Sequence, residues 1–297
     1  MKYVYPKFSY FDCGFFRLGG CGLGNMLFIY ARALILAKEN NATLIHPTWH
    51  TFKIGPIIRN EKDKRFYFGL FSNKSKRPSG LKKIKLLYLN PKVTPEQLPT
   101  AQDNSVVIYN NFLMKFNELK GHRQLIYDDI IKNLNDKNRD ILNINLNSTI
   151  AVHIRLGDFK PFNEDDLKSG KNNVQINVSW YANIIKQINE ATNYKYKFLV
   201  FSDGREESLN EVLSIPNVSL SEKRNIIKDI LLMTKAKFLI ASGSSTSLWA
   251  RFLGELSAIT YTNQLKEYGL SKPDGFEIET DAQGLTKEQI EKILKQN

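Results

Sequence analysis

Short apolar runs alternate with amphipathic stretches through the second half of the chain. The runs at Thr149–Ile154, 197–202, 218–220, 237–241 and 258–262 have the length of strands buried on both faces. Between the first two, Tyr181, Ile184, Ile185 and Ile188 recur at helical spacing after Ser179, the expected N-cap. Ile227, Ile230 and Leu231 mark a further helix over 224–236, which starts at Arg224. Thr286 and Gln289 stand at capping-box spacing ahead of Ile290 and Leu294, which predicts a terminal helix. Strand–helix alternation of this kind builds a parallel α/β sheet.

The first half is less regular. The apolar stretch 15–18 reads as a strand and meets the loop Gly19-Gly20-Cys21-Gly22-Leu23-Gly24-Asn25, which is followed by a long apolar helix to about Glu39 and a strand over 43–46. Residues 53–104 are rich in Lys, Pro and Asn and predict loops and short helices. A strand follows at 106–109 and a helix over 127–142, which places the domain boundary near 143–148 and gives domains of 1–145 and 146–297. No run approaches the roughly 18 apolar residues of a membrane span, and the N-terminus lacks the apolar core of a signal peptide. Two cysteines, Cys13 and Cys21, form neither a disulfide framework nor a zinc motif. The expected setting is cytoplasmic.

Charge is distributed unevenly. Residues 1–148 hold 23 Lys and Arg against 11 Asp and Glu, whereas the remainder holds 19 of each. The segment 53–92 alone holds 12 basic and 2 acidic residues, among them Lys74, Lys76, Arg77, Lys82, Lys83 and Lys85. Such a segment is either a solvated face or a patch that attracts an anionic partner. An anionic membrane surface contacted from the inner face of the cell suits it.

Three polar groups each follow a predicted strand: His153-Ile154-Arg155-Leu156-Gly157-Asp158-Phe159, Ser202-Asp203-Gly204, and the run 242–247 that contains Ser244, Ser245 and Thr246. Ligands of open α/β sheets bind beyond the carboxyl ends of strands. Arg155 suits bidentate capture of phosphate. Ser244, Ser245 and Thr246 open a helix whose amides favour an anion, and Asp203 can accept from a base or sugar. Together these make a nucleotide-diphosphate site, although singly an Asp after a strand is commonly a turn residue and a Ser/Thr run commonly a cap. The glycine loop lacks the third glycine of a dinucleotide fingerprint, and Ile45-His46-Pro47 offers no acidic residue after the next strand. No lysine occupies a Walker A position. Pro47 separates His46 from His50, no third zinc ligand is evident, and no Asp-x-Asp follows a strand, so no metal is expected.

These residues resemble a known family. Gly22-Leu23-Gly24-Asn25-Met26-Leu27-Phe28-Ile29-Tyr30-Ala31 is similar to the N-terminal signature of the family 11 glycosyltransferases, the α-1,2-fucosyltransferases, and His153 to Phe159 is similar to their His-x-Arg-Arg-Gly-Asp motif. Phe201-Ser202-Asp203 and 242–253 follow the order of the later motifs. Met26, Leu156, Thr246 and Leu248 depart from the pattern, at a Gln, the second Arg, a Phe and the first Trp respectively.

The resemblance implies a GT-B-like α/β fold of two Rossmann-like domains facing across a cleft, with the acceptor on the N-terminal side and the nucleotide sugar on the C-terminal side. It also implies a GDP-fucose donor, no metal, inversion at the anomeric carbon, Arg155 on the diphosphate and Asn25 in the cleft. Gly24, Asn25, His153, Arg155, Asp203, Ser244, Ser245 and Thr246 are the expected donor-binding residues. Asp158 and Glu164 are alternative catalytic bases.

The expected role is bacterial, in surface polysaccharide or lipopolysaccharide O-antigen synthesis, on an oligosaccharide acceptor that a lipid can carry and with no nucleic acid partner. The alternatives are the same fold with another GDP-sugar, a silent sugar-binding module, and a basic nucleic-acid-binding protein with Phe66-Tyr67-Phe68 as its aromatic element.

Overall fold

In the computed structural model both sheets are built from parallel pairs alone, as unalternated apolar strands require. The structure describes residues 1–58, 64–72, 76–222 and 225–295; Lys74 and Arg224 lie outside them. The chain divides into two units, Met1–Asp140 and Ile141–Asn297, a few residues earlier than 145/146. Lys235 explains the shift: its Nζ donates to the carbonyls of Ile141, Leu142 and Ile144 and so fastens this segment to the second unit.

The first unit comprises β1 (Tyr3–Pro6), α1 (Leu23–Glu39), β2 (Thr43–Leu44), α2 (Gly55–Ile58), α3 (Gly80–Leu89), β3 (Lys92–Val93), β4 (Val106–Tyr109) and α4 (Arg123–Asn133), with sheet order β2-β1-β4-β3. The opening strand is β1 and not 15–18. All four β1 residues are buried, whereas Phe15 and Leu18 are exposed and Arg17 and Leu18 make only isolated bridges. Helix α1 is apolar nearly all round and correspondingly enclosed, with even Arg32 buried.

The helix expected over 127–142 stops at Asn133. Its Nδ2 turns back to Asp129 O at 2.7 Å, and Asn135 Oδ1 accepts from Lys137 N–H, so side chains compete with the helical ladder. A 3-10 helix, Asp136–Asn143, follows.

The basic segment is not one patch. Lys82 and Lys85 are exposed on α3, but Lys83 is buried, and Arg77 is ion-paired to Asp129. Tyr67 is likewise turned inward, where its hydroxyl accepts from Leu23 N–H, so Phe66-Tyr67-Phe68 is no continuous aromatic platform.

The second unit comprises β5 (Thr149–Ile154), α5 (Glu164–Lys168), α6 (Val178–Ala191), β6 (Lys197–Ser202), α7 (Asn210–Leu213), β7 (Val218–Leu220), α8 (Ile226–Met233), β8 (Leu239–Ala241), α9 (Ser245–Gly254), β9 (Ala258–Tyr261), β10 (Glu277–Thr280) and α10 (Lys287–Leu294). Helix α6 is capped by Asn177, which accepts from Ser179 N–H, and not by Ser179 itself. Thr286 and Gln289 do form the expected capping box on α10. The sheet order β10-β9-β8-β5-β6-β7 is that of a doubly wound fold. Its topological switch point lies between β5 and β8, where the connections leave in opposite directions. Among the described residues no helix is long and apolar enough to cross a membrane.

Candidate active site

The carboxyl ends of β5 and β8 are joined at the switch point. His153, next to last in β5, places its Nδ1 2.9 Å from Ser242 Oγ just beyond β8. Burial first, and the positive charge of Arg155 second, push the imidazole down to about 4, so it is neutral at pH 7. Beyond Ser242 the chain turns into α9. Ser244 caps this helix by accepting from Ser247 N–H, and Ser247 Oγ donates to Ser242 O at 2.6 Å. Among the described residues the first two helical amides, of Ser245 and Thr246, have no partner. They form a small donor array backed by a helix dipole and suited to an anion.

Arg155 leaves the end of β5 between two carboxylates. Its Nη1 lies 2.8 Å from Asp203 Oδ2 and its Nη2 2.6 Å from Asp158 Oδ1, and the guanidinium carbon stands 5.7 Å from the Phe159 ring centre. The two acids are held differently. Asp203, at the end of β6, also accepts from Leu156 N–H at 2.9 Å, so it is fixed at both oxygens. Asp158 lies on an exposed turn.

Two glycines let the loops after β5 and β6 interlock. A Cβ on Gly157 would stand 2.2 Å from Asp203 Oδ2, and one on Gly204 would stand 2.5 Å from Leu156 Cδ1. Gln175 completes the brace by donating to Leu156 O at 2.6 Å and to Phe159 O at 3.2 Å. The loop that presents Arg155 is therefore pinned from three sides.

Of the residues expected from sequence, His153, Arg155, Asp158, Asp203, Ser244, Ser245 and Thr246 all stand at strand ends of this one sheet. Thr246 is buried and Ser245 half-exposed. Glu164 is at the start of α5, where it pairs with Lys168 at 2.8 Å; its partner is this lysine and not Arg155. Gly24 and Asn25 belong to the first turn of α1 in the other unit, and Asn25 N–H donates to Gly22 O.

Around that turn, Arg17 is wholly buried and donates to the carbonyls of Thr48, Gly19 and Trp49. Lys53 Nζ donates to Cys21 O. Ser242, Ser247 and Gln175 were not expected as site residues. Ser242 and Ser247 carry a signal, since they lie in the Ser run, but Gln175 carries none, because its role depends on a loop 16 or more residues away. Among the described residues no three His, Cys, Asp or Glu side chains converge as metal ligands.

Residues 98–274 match a family model described as glycosyl transferase family 11. No curated protein sequence matches the chain. Among solved structures, the chain is similar to NodZ α-1,6-fucosyltransferase soaked with GDP-fucose, with a TM-score of 0.51, 16% identity, and 87% of this chain and 94% of that chain covered. Fucosyltransferase NodZ from Bradyrhizobium is similar at TM-score 0.48 and 14% identity, covering 84% and 92%. POFUT1 in complex with GDP-fucose is similar at TM-score 0.46 and 13% identity, covering 94% and 97%.

Proposed function

The chain belongs to glycosyl transferase family 11 and is a glycosyltransferase, and from that premise we propose that it moves L-fucose from GDP-fucose to a saccharide hydroxyl in α-1,2 linkage, with inversion and without a metal. The observation that carries this reading is Arg155, fixed by Asp203 at the end of β5, beside the strand end that leads to the open amides of α9. The donor fits the chemistry of this site, and the structurally similar NodZ is described as a fucosyltransferase soaked with GDP-fucose.

In the transfer, the acceptor oxygen bonds to the anomeric carbon as the bond from that carbon to the diphosphate oxygen breaks. Negative charge then grows on GDP. Arg155 and the amides of Ser245 and Thr246 offset it, and preorganised donors of this kind are worth about 3–4 kcal/mol in a transition state. Asp203 acts as a positioning residue that keeps the guanidinium aimed. The diphosphate replaces Asp158 on Arg155, and the released carboxylate takes the proton of the acceptor hydroxyl; Glu164, engaged with Lys168, is the weaker candidate for that role. His153 stays neutral, so it adds no charge beside Arg155, and its contact with Ser242 holds the two strand ends together. The product serves surface polysaccharide or O-antigen assembly.

Thermal shift and turnover with GDP-fucose, other GDP-sugars and UDP-sugars test the donor. Specific stabilisation and turnover with GDP-fucose are expected; preference for another GDP-sugar overturns the sugar, and preference for a UDP-sugar overturns the nucleotide. Linkage analysis of the product should show substitution at O2.

A further inference from the structure

The loops after β1 and β2 of the first unit expose apolar side chains, and basic residues stand in the same segments. After β1, Phe11, Phe15 and Leu18 are 50%, 61% and 44% exposed. After β2, Phe52, Ile54 and Ile58 are 52%, 62% and 77% exposed, and Phe68 on the next described segment is 66% exposed.

Ring contacts and two links between the loops bring the aromatic members of this set together. The Phe16 ring lies 5.9 Å from that of Phe11 and 5.2 Å from that of Phe15. Phe52 stacks on Phe66 at 5.8 Å, and His50 stacks on Phe68 at 5.1 Å. Two contacts join the loops: the Leu18–Phe52 bridge and the His50 ring nitrogen on Phe15 O. Water-facing apolar patches of this extent mark a docking surface.

Composition and charge select the occupant. Apart from Tyr10, which is 99% exposed, the exposed side chains are Phe, Ile and Leu, which lack hydrogen-bonding groups and match hydrocarbon. Lys7, Lys53, Lys64 and Arg65 lie within or beside the same segments. Among their described residues the one carboxylate is Asp12, which accepts from Tyr5 OH and Gly14 N–H. A second copy of this positively charged face would repel the first, whereas an anionic bilayer complements both its apolar centre and its charge.

We propose that this aromatic face, and not the lysines of α3, docks the protein on an anionic phospholipid bilayer. Phe and Ile side chains enter the headgroup boundary, and the positive charge of these segments attracts lipid phosphates. The face stands at the same carboxyl-end side of the β1–β2 sheet as the glycine loop. A lipid-borne acceptor would be delivered there, a consequence that rests on the transferase reading above, whereas the docking itself does not.

Co-sedimentation of the full chain with phosphatidylcholine vesicles, with and without phosphatidylglycerol, tests the proposal. Binding to the anionic vesicles, weakened by salt, is expected. The F15S/F52S/I58S variant should lower the partition coefficient by about tenfold or more, and K82Q/K85Q should change it less than twofold, with GDP affinity unaltered in both. Absence of binding to anionic vesicles overturns the proposal, as does equal binding to neutral ones. Loss of binding in K82Q/K85Q with retention in F15S/F52S/I58S also overturns it. So does a dimer in wild-type protein that the aromatic variant alone dissolves. Because GDP affinity is read separately, failure here is distinguishable from failure of the donor assignment.

Discussion

Arg17 and Arg155 both sit near the glycine- or serine-rich entrance to a helix, yet they are held in opposite ways. Arg17, in the first unit, is fully buried and satisfied by three backbone carbonyls and Met26 Sδ, so it is a scaffold for the loop ahead of α1. Arg155, in the second, is partly exposed and braced by two carboxylates, one fixed and one on a turn. A guanidinium whose donors end on buried carbonyls and a buried thioether cannot be lent to a ligand without loss of the fold. One held by carboxylates can exchange a partner for a phosphate.

The largest test of that contrast is a pair of substitutions. Arg155→Ala should cut turnover by about 10²–10³-fold while costing under ~1 kcal/mol of stability, since its ion pairs are partly solvated. Arg17→Ala should cost about 3 kcal/mol or more, because it strands buried carbonyls. Denaturant unfolding beside kinetics reads both, and a reversal of the two effects would break the comparison.

Next in size are two pH dependences. The native pKa of His153 is pushed down from 6.5 to about 4. As pH falls through that window the unfolded chain takes a proton the native protein refuses, and stability falls by up to about 1.4 kcal/mol per unit. Burial above all pushes Lys83 down from 10.5 to about 8, although the nearby Asp12 opposes it. Between about 8 and 10.5 the unfolded chain keeps a proton the native protein has released, so stability rises with pH. His153→Gln should flatten the acid slope alone, and Lys83→Met the alkaline slope alone. The smallest effect is at the caps. Ser244→Ala should cost about 1 kcal/mol, whereas Gly22→Ser, at a helix start with no side-chain cap, should gain a few tenths. Thermal melts of the two variants suffice.

The same division governs how much was legible in the sequence. Strands β5 and β6 were readable to the residue, because a strand buried between its neighbours leaves an apolar run with polar residues immediately after it; β7, a half-exposed edge strand, was bounded correctly by Val218 and Leu220. The gathering of His153, Arg155, Asp158, Asp203 and the serine run at the candidate site was readable for the same reason, since residues that follow such runs stand together at strand ends. The first unit builds its sheet from pieces of two to four residues, too short to carry a period. The stretch 15–18 was misleading because Phe15, Phe16 and Leu18 are exposed in a loop while Arg17 is buried. Strand β10 was missed because its Glu277 and Glu279 look like loop residues. Glu277 is instead satisfied by the buried Arg251 and three backbone amides. Gln175 and the paired roles of Gly157 and Gly204 depend on which loops meet, and no local pattern encodes that.

The interlock between the loops after β5 and β6 bears on how this enzyme could be re-engineered. Leu156 fills the space that Gly204 leaves open, and Asp203 fills the space that Gly157 leaves open. Positions 156 and 157 are therefore one cassette with 203 and 204. Placing an arginine at 156 would change a shape as well as a charge. A library that varies one loop at a time would sample mostly mismatched halves, so folded variants of this region should be sought by exchanging both loops together.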